Sequence, residues 1–316
     1  MQPKDVSCAG KGSSLPQLDG ILVLNKPSGP TSARCVSVIK RLGQKKIGHA
    51  GTLDPLASGV LLILLGQATK LSGYLMADGG KVYSGTLRLG QTTDTWDSEG
   101  VVTTEAAWEY VREQDLRQEI AAWCDLTEQP VPFYSAAKFK GKPLYKLARK
   151  GIAAPVKVKR IQILQAEVLD VSLPFVRFRV TCSSGTYIRS LAHSLGKRLG
   201  CGAVLTELTR EFSHPFGLEM SCDLAEIVTD PDILPTYVHP IAEALPRWHK
   251  VELSSEDVAR VRNGVAVPCQ KEALIADDQE DMDCALLLDQ GTALALAQRQ
   301  STPRGHCWAV LRGLWN

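Results

Sequence analysis

Hydrophobic residues in the first two hundred positions fall into short runs with the spacing of strands and of amphipathic helices. Alternating or continuous apolar runs predict strands at 21–24, 81–89, 161–171 and 176–183, and 60–65 fits a buried strand or a buried helix. Helical spacing predicts helices at 31–42, capped by Thr31 or Ser32, at 68–78, at 105–121, and at 187–199, capped by Thr186. No regular βαβ repeat appears. This favours an α+β fold with a mixed, mainly antiparallel sheet.

Prolines become frequent between residues 228 and 246, which indicates a linker or a wrap-around connection. The segment beyond it is predicted to contain a helix at 254–262, an acidic loop at 277–283, and strands at 284–289, 292–298 and 308–311. We therefore expect a flexible N-terminal tail at 1–18, a main domain at 19–245 and a small β-rich domain at 246–316.

Composition excludes several classes of protein. The 316 residues are 44% hydrophobic and 22% charged, as in ordinary globular proteins. The net charge of +2 does not by itself indicate a nucleic-acid partner. Nine cysteines without a Cys-x-x-Cys pair and six dispersed histidines predict reduced cytosolic thiols and no metal site. We expect no signal peptide and no membrane span, because every apolar run is short. No glycine-rich nucleotide motif occurs, so no nucleotide cofactor is expected.

Positive charge is nevertheless concentrated in residues 138–160, which carry nine Lys or Arg residues and no Asp or Glu. Lys138 begins this basic segment, and Phe133, Tyr134 and Phe139 lie in it or beside it. Cationic side chains displace counterions from phosphates, and aromatic rings stack on bases. A solvated charged face is the alternative, but such faces usually include neutralising acids, so the segment favours binding to RNA.

A single carboxylate, Asp54, stands in a glycine-rich loop directly before the apolar run 60–65. Gly48, Gly51 and Gly59 surround it, and glycine allows backbone conformations and close approaches that other residues resist. A carboxylate on a rigid loop beside a buried element suits a nucleophile or a general base. An ordinary solvent-facing turn of Gly, Asp and Pro is the alternative.

Seven short motifs in a fixed order carry a resemblance to a known family. They are Asn-Lys-Pro at 25–27, Gly-His-Ala-Gly-Thr-Leu-Asp-Pro at 48–55, Lys-Val-Tyr at 81–83, Thr-Asp-Thr at 93–95, Tyr-Ser-Ala at 134–136, Gly-Thr-Tyr-Ile-Arg at 185–189 and Leu-Thr-Arg at 208–210. Together they resemble the TruB family of pseudouridine synthases, which isomerise uridine 55 in the T arm of tRNA. The resemblance implies a PUA-like C-terminal domain that binds RNA, a monomer in the cytoplasm, and no cofactor or metal.

The resemblance also implies roles for individual residues. Asp54 is the nucleophile, attacking either C6 of the uracil or C1′ of the ribose, and Arg189 is its expected bidentate partner. Tyr83 is expected to stack on the target base and to accept a proton. The other substrate contacts are expected from His49 beside the everted nucleotide, Tyr187 near the ion pair, Leu208 as an apolar wall, Lys26 near the RNA and, from the basic segment, Lys138.

Two other functions fit parts of the sequence. A glycosidase or hydrolase using Asp54 would need a second acid about 5–10 Å away, and Asp94 is the candidate. Release of free uracil would distinguish it from an isomerase. A non-catalytic RNA-binding protein derived from the enzyme is the other possibility. Loss of the motif aspartate would favour it, and Asp54 is present.

Overall fold

The computed structural model describes residues 15–77, 79–152, 155, 157–269, 283–303 and 305–315. The strands before residue 240 are β1 (Gly20–Lys26), β2 (Ile47–Ala50), β3 (Ser58–Leu65), β4 (Lys81–Leu89), β5 (Gln91–Thr93), β6 (Val102–Glu105), β7 (Glu128–Pro130), β8 (Lys138–Phe139), β9 (Lys142–Pro143), β10 (Val158–Arg160), β11 (Ile163–Ser172), β12 (Phe175–Cys182), β13 (Ala203–Ser213), β14 (Phe216–Gly217), β15 (Cys222–Asp223) and β16 (Val238–His239). The later strands are β17 (His249–Glu252), β18 (Val267–Pro268), β19 (Cys284–Asp289), β20 (Thr292–Thr302) and β21 (Gly305–Gly313).

Helices lie between these strands. The α-helices are α1 (Ser32–Arg41), α2 (Ser72–Ala77), α3 (Glu113–Ala121), α4 (Leu144–Ala148), α5 (Ile188–Leu199), α6 (Leu224–Thr229) and α7 (Ser255–Arg262). Short 3₁₀ helices occupy Gly66–Leu71, Ala122–Asp125, Leu218–Met220, Pro231–Tyr237 and Ile241–Glu243. In the described part of the chain, no helix has the length and hydrophobicity needed to cross a bilayer.

One large mixed sheet forms the centre of the molecule. Its strands follow the order β11–β12–β4–β13–β3–β1–β15, and most neighbouring pairs are antiparallel. The pairs β13–β3 and β1–β15 are parallel. The apolar run at 60–65 lies within β3, which settles the strand-or-helix ambiguity in favour of a strand. The predicted α+β class with a mainly antiparallel sheet is confirmed.

Most predicted elements are present, but the helix predicted at 105–121 is too long. The first of its residues ends β6, which pairs with β5, and α3 begins only at Glu113. The hydroxyl group of Thr92 hydrogen-bonds to those of Thr103 and Thr104, at 2.8 and 2.6 Å. This cross-strand pairing is a tertiary interaction that helical periodicity cannot reveal.

The cap predicted for α5 is also wrong. The Thr186 hydroxyl donates to the carbonyl of Ser183 and caps no helical N–H group. The side chain of Gln129 from β7 instead binds the residue before the helix, accepting from the N–H of Tyr187 and donating to its carbonyl. The predicted end of the helix is correct, because Gly200 has a φ of 79° and closes it in the left-handed conformation.

A second sheet, β17–β19–β20–β21–β18, forms the β-rich C-terminal part that the sequence predicts. It packs against the central sheet through a shared apolar cluster that includes Val23 and Leu62 on one side and Leu286 and Leu296 on the other. The ammonium group of Lys70 adds hydrogen bonds to carbonyls near the end of β21. The small sheet is therefore held directly against β1 and β3.

The predicted tail is described only from residue 15, and its residues 1–14 lie outside the described residues. Gln17 and Leu18 form hydrogen bonds with the segment 43–45 after α1. The predicted acidic loop at 277–283 also falls outside the described residues except for Asp283.

Candidate active site

The loop of residues 51–57, between β2 and β3, presents Asp54 and is held along its backbone. Asp54 and Ala57 close a turn, with the carbonyl of Asp54 accepting from the N–H of Ala57 at 3.1 Å. Ser32, at the start of α1, exchanges hydrogen bonds with both backbone groups of Leu53 at 3.0 Å. The N–H of Gly29 donates to the carbonyl of Pro55 at 2.8 Å. The rigid, non-helical loop expected from the sequence is therefore present.

Glycine is required at both ends of this loop. Gly51 and Gly59 have φ values of 72° and 98°, which other residues rarely adopt. Gly59 lies between β1 and β13, and a Cβ atom there would be 2.3 Å from the carbonyl oxygen of Arg210. A side chain at Gly59 would therefore collide with the backbone of Arg210, whereas glycine is needed at Gly51 because of its positive φ.

Lys26 has a different place from the one predicted. It is fully buried, and its ammonium group donates to the carbonyls of Pro27, Pro55 and Ala57 at 2.8, 3.3 and 2.6 Å. Burial lowers the pKa of Lys26, while the charge of Asp54 acts in the opposite direction. The predicted contact of Lys26 with RNA is wrong, because this lysine is buried and supports the loop of residues 51–57.

Lys26→Met is therefore expected to destabilise the protein by about 1–3 kcal/mol, because buried carbonyls lose their donor. The rate of catalysis should fall, whereas RNA affinity should stay within about threefold of wild type. Urea unfolding and RNA-binding measurements on the same variant check this. A loss of affinity with unchanged stability would restore Lys26 to the RNA surface. Lys45→Met, at an exposed lysine, is the matched control.

Arg189 is the central cation of the site and is only 3% exposed. Its Nε donates to Oδ2 of Asp54 at 2.8 Å. Its Nη1 and Nη2 donate to the carbonyls of Thr95 and Tyr134 at 2.8 and 3.0 Å. The pair with Asp54 is therefore single, not bidentate as expected, because the other guanidinium nitrogens tie two further segments to the site.

A second carboxylate, Asp97, also faces this guanidinium, with Oδ2 3.5 Å from Nε of Arg189. Its side chain is 7% exposed and accepts hydrogen bonds from the hydroxyl of Thr95 and the N–H of Glu99. Burial raises the pKa of Asp97, and the Thr95 hydroxyl and the charge of Arg189 oppose that rise. Asp97 is a site residue that the sequence analysis missed. Asp94, the candidate second acid, is exposed and accepts from the N–H of Val101.

Tyr83 lies on β4 beside Arg210 on β13, to which it is paired in register. Tyr83 is 6% exposed, and burial raises its pKa while the charge of Arg210 lowers it. Arg210 is 1% exposed and donates to the carbonyls of Val60 and Gly51 at 2.7 and 2.9 Å. One buried guanidinium therefore joins Gly51 and Val60, on the two sides of the loop, to Tyr83. Arg210 belongs to the Leu-Thr-Arg motif, a signal that the sequence analysis recorded without assigning a role.

Leu208 and Tyr187 lie on two elements that border the loop of residues 51–57. Leu208 is 7% exposed on β13, and its carbonyl accepts from the hydroxyl of Ser58 at the base of the loop. Tyr187 directly precedes α5, and its pKa is raised by burial and by the negative charge of Asp54. Tyr187 thus lies close enough to Asp54 to feel its charge, and Leu208 lies beside the residue that follows the loop.

His49 is half-buried on β2. Its Nδ1 has no hydrogen-bond partner among the described residues. Burial, with a contribution from Arg210, lowers the pKa of His49.

Lys138 lies in a hairpin formed by β8 and β9 and has no described contact with Asp54. The nine cations of the basic segment are all exposed, and in the described part of the chain none is paired with a carboxylate. A small apolar cluster of Val131, Leu144 and Leu147 supports the hairpin, and the ring of Tyr187 packs against it. The basic surface is thus joined to the site through Tyr187 and through the carbonyl of Tyr134.

Residues that could ligate a metal do not converge here. Among the described residues there is no group of three or more His, Cys, Asp or Glu side chains arranged to hold a metal ion.

Solved structures share this fold. The crystal structure of a Cbf5–Nop10–Gar1 complex aligns with a TM-score of 0.68 and 26% identity, covering 94% of this chain and 85% of that chain. An H/ACA RNP bound to a substrate RNA containing 2′-deoxyuridine aligns with a TM-score of 0.66 and 26% identity over the same shares. Fold and site together with the relatives below define a pseudouridine synthase, an isomerase.

The sequence comparisons are more specific. The family model for the N-terminal domain of TruB family pseudouridylate synthases matches residues 40–188. The tRNA pseudouridine synthase B of Oleidesulfovibrio alaskensis is 59% identical over 96% of this chain and 99% of its own length. The protein of that name from Nitratidesulfovibrio vulgaris is 59% identical over 95% of this chain and 99% of its own. The chain belongs to the TruB family.

Proposed function

We propose that this enzyme converts uridine 55 in the T arm of tRNA to pseudouridine, with Asp54 as the nucleophile. The contact between Asp54 and Nε of Arg189 at 2.8 Å carries the proposal. The Asp54 side chain is 38% exposed while that of Arg189 is 4% exposed. A guanidinium fixed in the interior thus orients a carboxylate that a substrate can still reach.

The reaction rearranges one nucleotide without adding or removing atoms. The bond between C1′ and N1 breaks, a bond between C1′ and C5 forms, C5 gives up its proton, and N1 ends with one. Asp54 can open this sequence by attacking C6 of the base or C1′ of the sugar, and the ester that it forms is released at the end. Arg189 stabilises the carboxylate both before attack and when it is released.

Other residues of the site have roles that suit this chemistry. The ring of Tyr83 offers a stacking face for the uracil. Because burial raises its pKa, its hydroxyl keeps a proton and acts as a relay: it takes the proton from C5 while passing its own proton on, so that N1 ends protonated. Leu208 forms an apolar wall that keeps water from the intermediate. Because Asp54 is still 38% exposed in the free protein, the RNA itself completes the exclusion of water.

The target base must leave its stack before it can reach Asp54, at a cost of a few kcal/mol. The nine exposed cations of residues 138–160 supply phosphate contacts that offset this cost. Tyr187 and Tyr134 connect that basic surface to the ion pair, so RNA bound there lies next to the site. The C-terminal sheet, as a PUA-like domain at 246–316, contributes further RNA contacts. We propose a monomer acting in the cytoplasm, where its tRNA substrate is found.

Neutralising Lys138, Lys140 and Lys142 together should weaken RNA binding and flatten its dependence on salt, because each lost phosphate contact removes about 0.7–0.9 from the slope of log K against log salt. The slope is measured by titrating RNA at several salt concentrations. The matched control neutralises Lys40, Arg41 and Lys45, three cations that lie at the end of α1 or just after it. An unchanged slope in the first triple variant would remove the β8–β9 hairpin from the phosphate surface.

Incubation with an unmodified tRNA transcript, followed by mapping of pseudouridine, tests the reaction and its position together. Pseudouridine at position 55, and its loss when that uridine is replaced by cytidine, is the expected result. Modification elsewhere would keep the reaction and overturn the substrate. Free uracil in the supernatant would instead favour the hydrolase alternative.

A further inference from the structure

Lys81, the first residue of β4, has an unusual environment for a lysine. It is 5% exposed, and its ammonium group has one described hydrogen bond, to the hydroxyl of Ser184 at 3.0 Å. Burial, followed by the charge of Arg210, lowers the pKa of Lys81 to about 8. An ammonium group has three hydrogens to donate, so this buried cation keeps unused hydrogen-bonding capacity.

Among the described residues, Lys81 has no carboxylate partner. The charged groups that act on it are Arg210 on β13 and Lys159 on β10, both positive, together with the thiol of Cys182 on β12. Burial raises the pKa of Cys182 to about 11, so the thiol is neutral near pH 8. Buried cations are normally paired, because an isolated charge in the interior is costly. A cluster of cations without an anion indicates that the anion is supplied by a ligand.

The cluster adjoins the uridine site. Lys81 and Tyr83 are two residues apart on β4, so their side chains leave the same face of the sheet. A methyl group on Gly51 would lie 3.7 Å from Cε of Lys81 and 3.3 Å from Nη1 of Arg210, so the bare loop keeps this approach open. On the other side, the ammonium group of Lys159 lies over Gly185. The cluster thus lies between the loop of residues 51–57 and the turn at Gly185 that leads to Arg189.

We propose that Lys81, Arg210 and Lys159 form a binding site for one phosphate group of the RNA backbone, with Lys81 as its direct ligand. The site rests on the proposed function, because it assumes an RNA substrate. It would hold a phosphate next to the everted uridine and so fix the position of the ribose relative to Asp54. The exposed β8–β9 hairpin binds RNA from outside, whereas this site binds it at the point of chemistry.

A phosphate scan tests the proposal directly. Stem-loop RNAs are prepared in which one phosphate near the target uridine at a time is a neutral methylphosphonate, and their dissociation constants are measured with Asp54→Asn protein to avoid turnover. One position should weaken binding by about tenfold, the usual effect of losing one charged hydrogen bond. In the Asp54→Asn, Lys81→Met double variant, a methylphosphonate at that position should leave the dissociation constant unchanged relative to the unmodified RNA.

Thermal unfolding of Lys81→Met distinguishes a role of Lys81 as a phosphate ligand from a structural role. Lys81→Met removes a buried cation that has no carboxylate partner and lies near the positive charges of Arg210 and Lys159. The midpoint of thermal unfolding of this variant should therefore equal or exceed that of wild type. Lys197→Met, at an exposed lysine of α5, is the control and should change neither RNA affinity nor the phosphate scan. A lower unfolding midpoint together with an unchanged phosphate scan would show that Lys81 is structural and overturn the proposal.

The pH dependence of RNA binding provides a second test, and it does not require replacing Lys81 with an apolar residue. Between pH 7 and 8.5, RNA binding by the Asp54→Asn protein should weaken as pH rises, because Lys81 loses its proton near pH 8. The neighbouring thiol of Cys182 stays neutral over this range, because burial raises its pKa to about 11. With Lys81→Arg added, binding should be constant, because a guanidinium does not titrate there. The same slope in both proteins would overturn the assignment to Lys81.

Failure of this site and failure of the proposed function give different results. If wild-type enzyme forms pseudouridine but no methylphosphonate position depends on Lys81, only the phosphate site is wrong. If wild-type enzyme forms no pseudouridine in any tRNA transcript, the proposed function itself is wrong, whatever the binding scan shows.

Discussion

Asp54→Asn is expected to lower the rate of pseudouridine formation by at least about 10⁴-fold. The amide has the shape of the carboxyl group and its oxygen can still accept from Nε of Arg189, but it cannot attack carbon as a carboxylate does. RNA affinity should stay within about tenfold of wild type, since the basic surface is unchanged. Single-turnover rates with tRNA transcript, and dissociation constants for the same RNA, measure the two effects separately.

Asp94→Asn is the matched control. Asp94 is exposed and directly precedes Thr95, whose carbonyl accepts a hydrogen bond from Arg189. The Oδ1 atom of Asp94 accepts from the N–H of Val101. We expect this variant to retain activity within a few-fold of wild type. A hydrolase with Asp94 as its second acid would lose activity here as well. Near-normal turnover by Asp54→Asn would refute the assignment of the nucleophile.

Arg189→Met is the second change with a large expected effect, because it removes activity and stability together. The guanidinium donates to Asp54 and to the carbonyls of Thr95 and Tyr134, and it lies 3.5 Å from the buried Asp97. We expect a loss of about 3–5 kcal/mol, the usual effect of leaving a buried charge without its partner. We expect most of this loss of stability to come from Asp97, because water already screens the charge of the more exposed Asp54. Urea denaturation gives the free energy of unfolding.

A double variant identifies the source of that loss. Asp97→Asn removes the buried negative charge, so adding it to Arg189→Met should recover part of the lost stability. It should not recover activity, because Asp54 still lacks its guanidinium. Arg189→Lys is the conservative comparison and should remain impaired, since an ammonium group cannot serve three acceptors in one plane. Wild-type stability of Arg189→Met would contradict the central place given to this residue.

Local patterns were sufficient for the parts of the fold that depend on neighbouring residues. The strands β11 and β12, the capping of α1 by Thr31, one of the two predicted caps, and the end of α5 at Leu199 each follow from apolar spacing or from one local residue. The loop that carries Asp54 was also predictable, because positive φ angles at Gly51 and Gly59 need glycine.

The errors concern contacts between residues distant in the chain. The helix predicted at 105–121 failed because β6 pairs with β5 through threonine side chains. Lys26 was placed on the surface because its buried carbonyl partners come from a loop that ends thirty-one residues later, at Ala57. Asp97 was overlooked because its proximity to Arg189, on a different element, exists only in the folded chain.

The loop of residues 51–57 is held by residues that come much later in the chain, and this affects synthesis on the ribosome. Asp54 leaves the exit tunnel long before Arg189 and Arg210, the guanidinium groups that orient its carboxylate and bind the carbonyls of Gly51 and Val60. A nascent chain that stops before β13 therefore contains Asp54 and Arg189 but lacks Arg210, which binds the carbonyls of Gly51 and Val60. The contacts that hold the loop of residues 51–57 are therefore complete only after about two thirds of the polypeptide, through β13, has been synthesised.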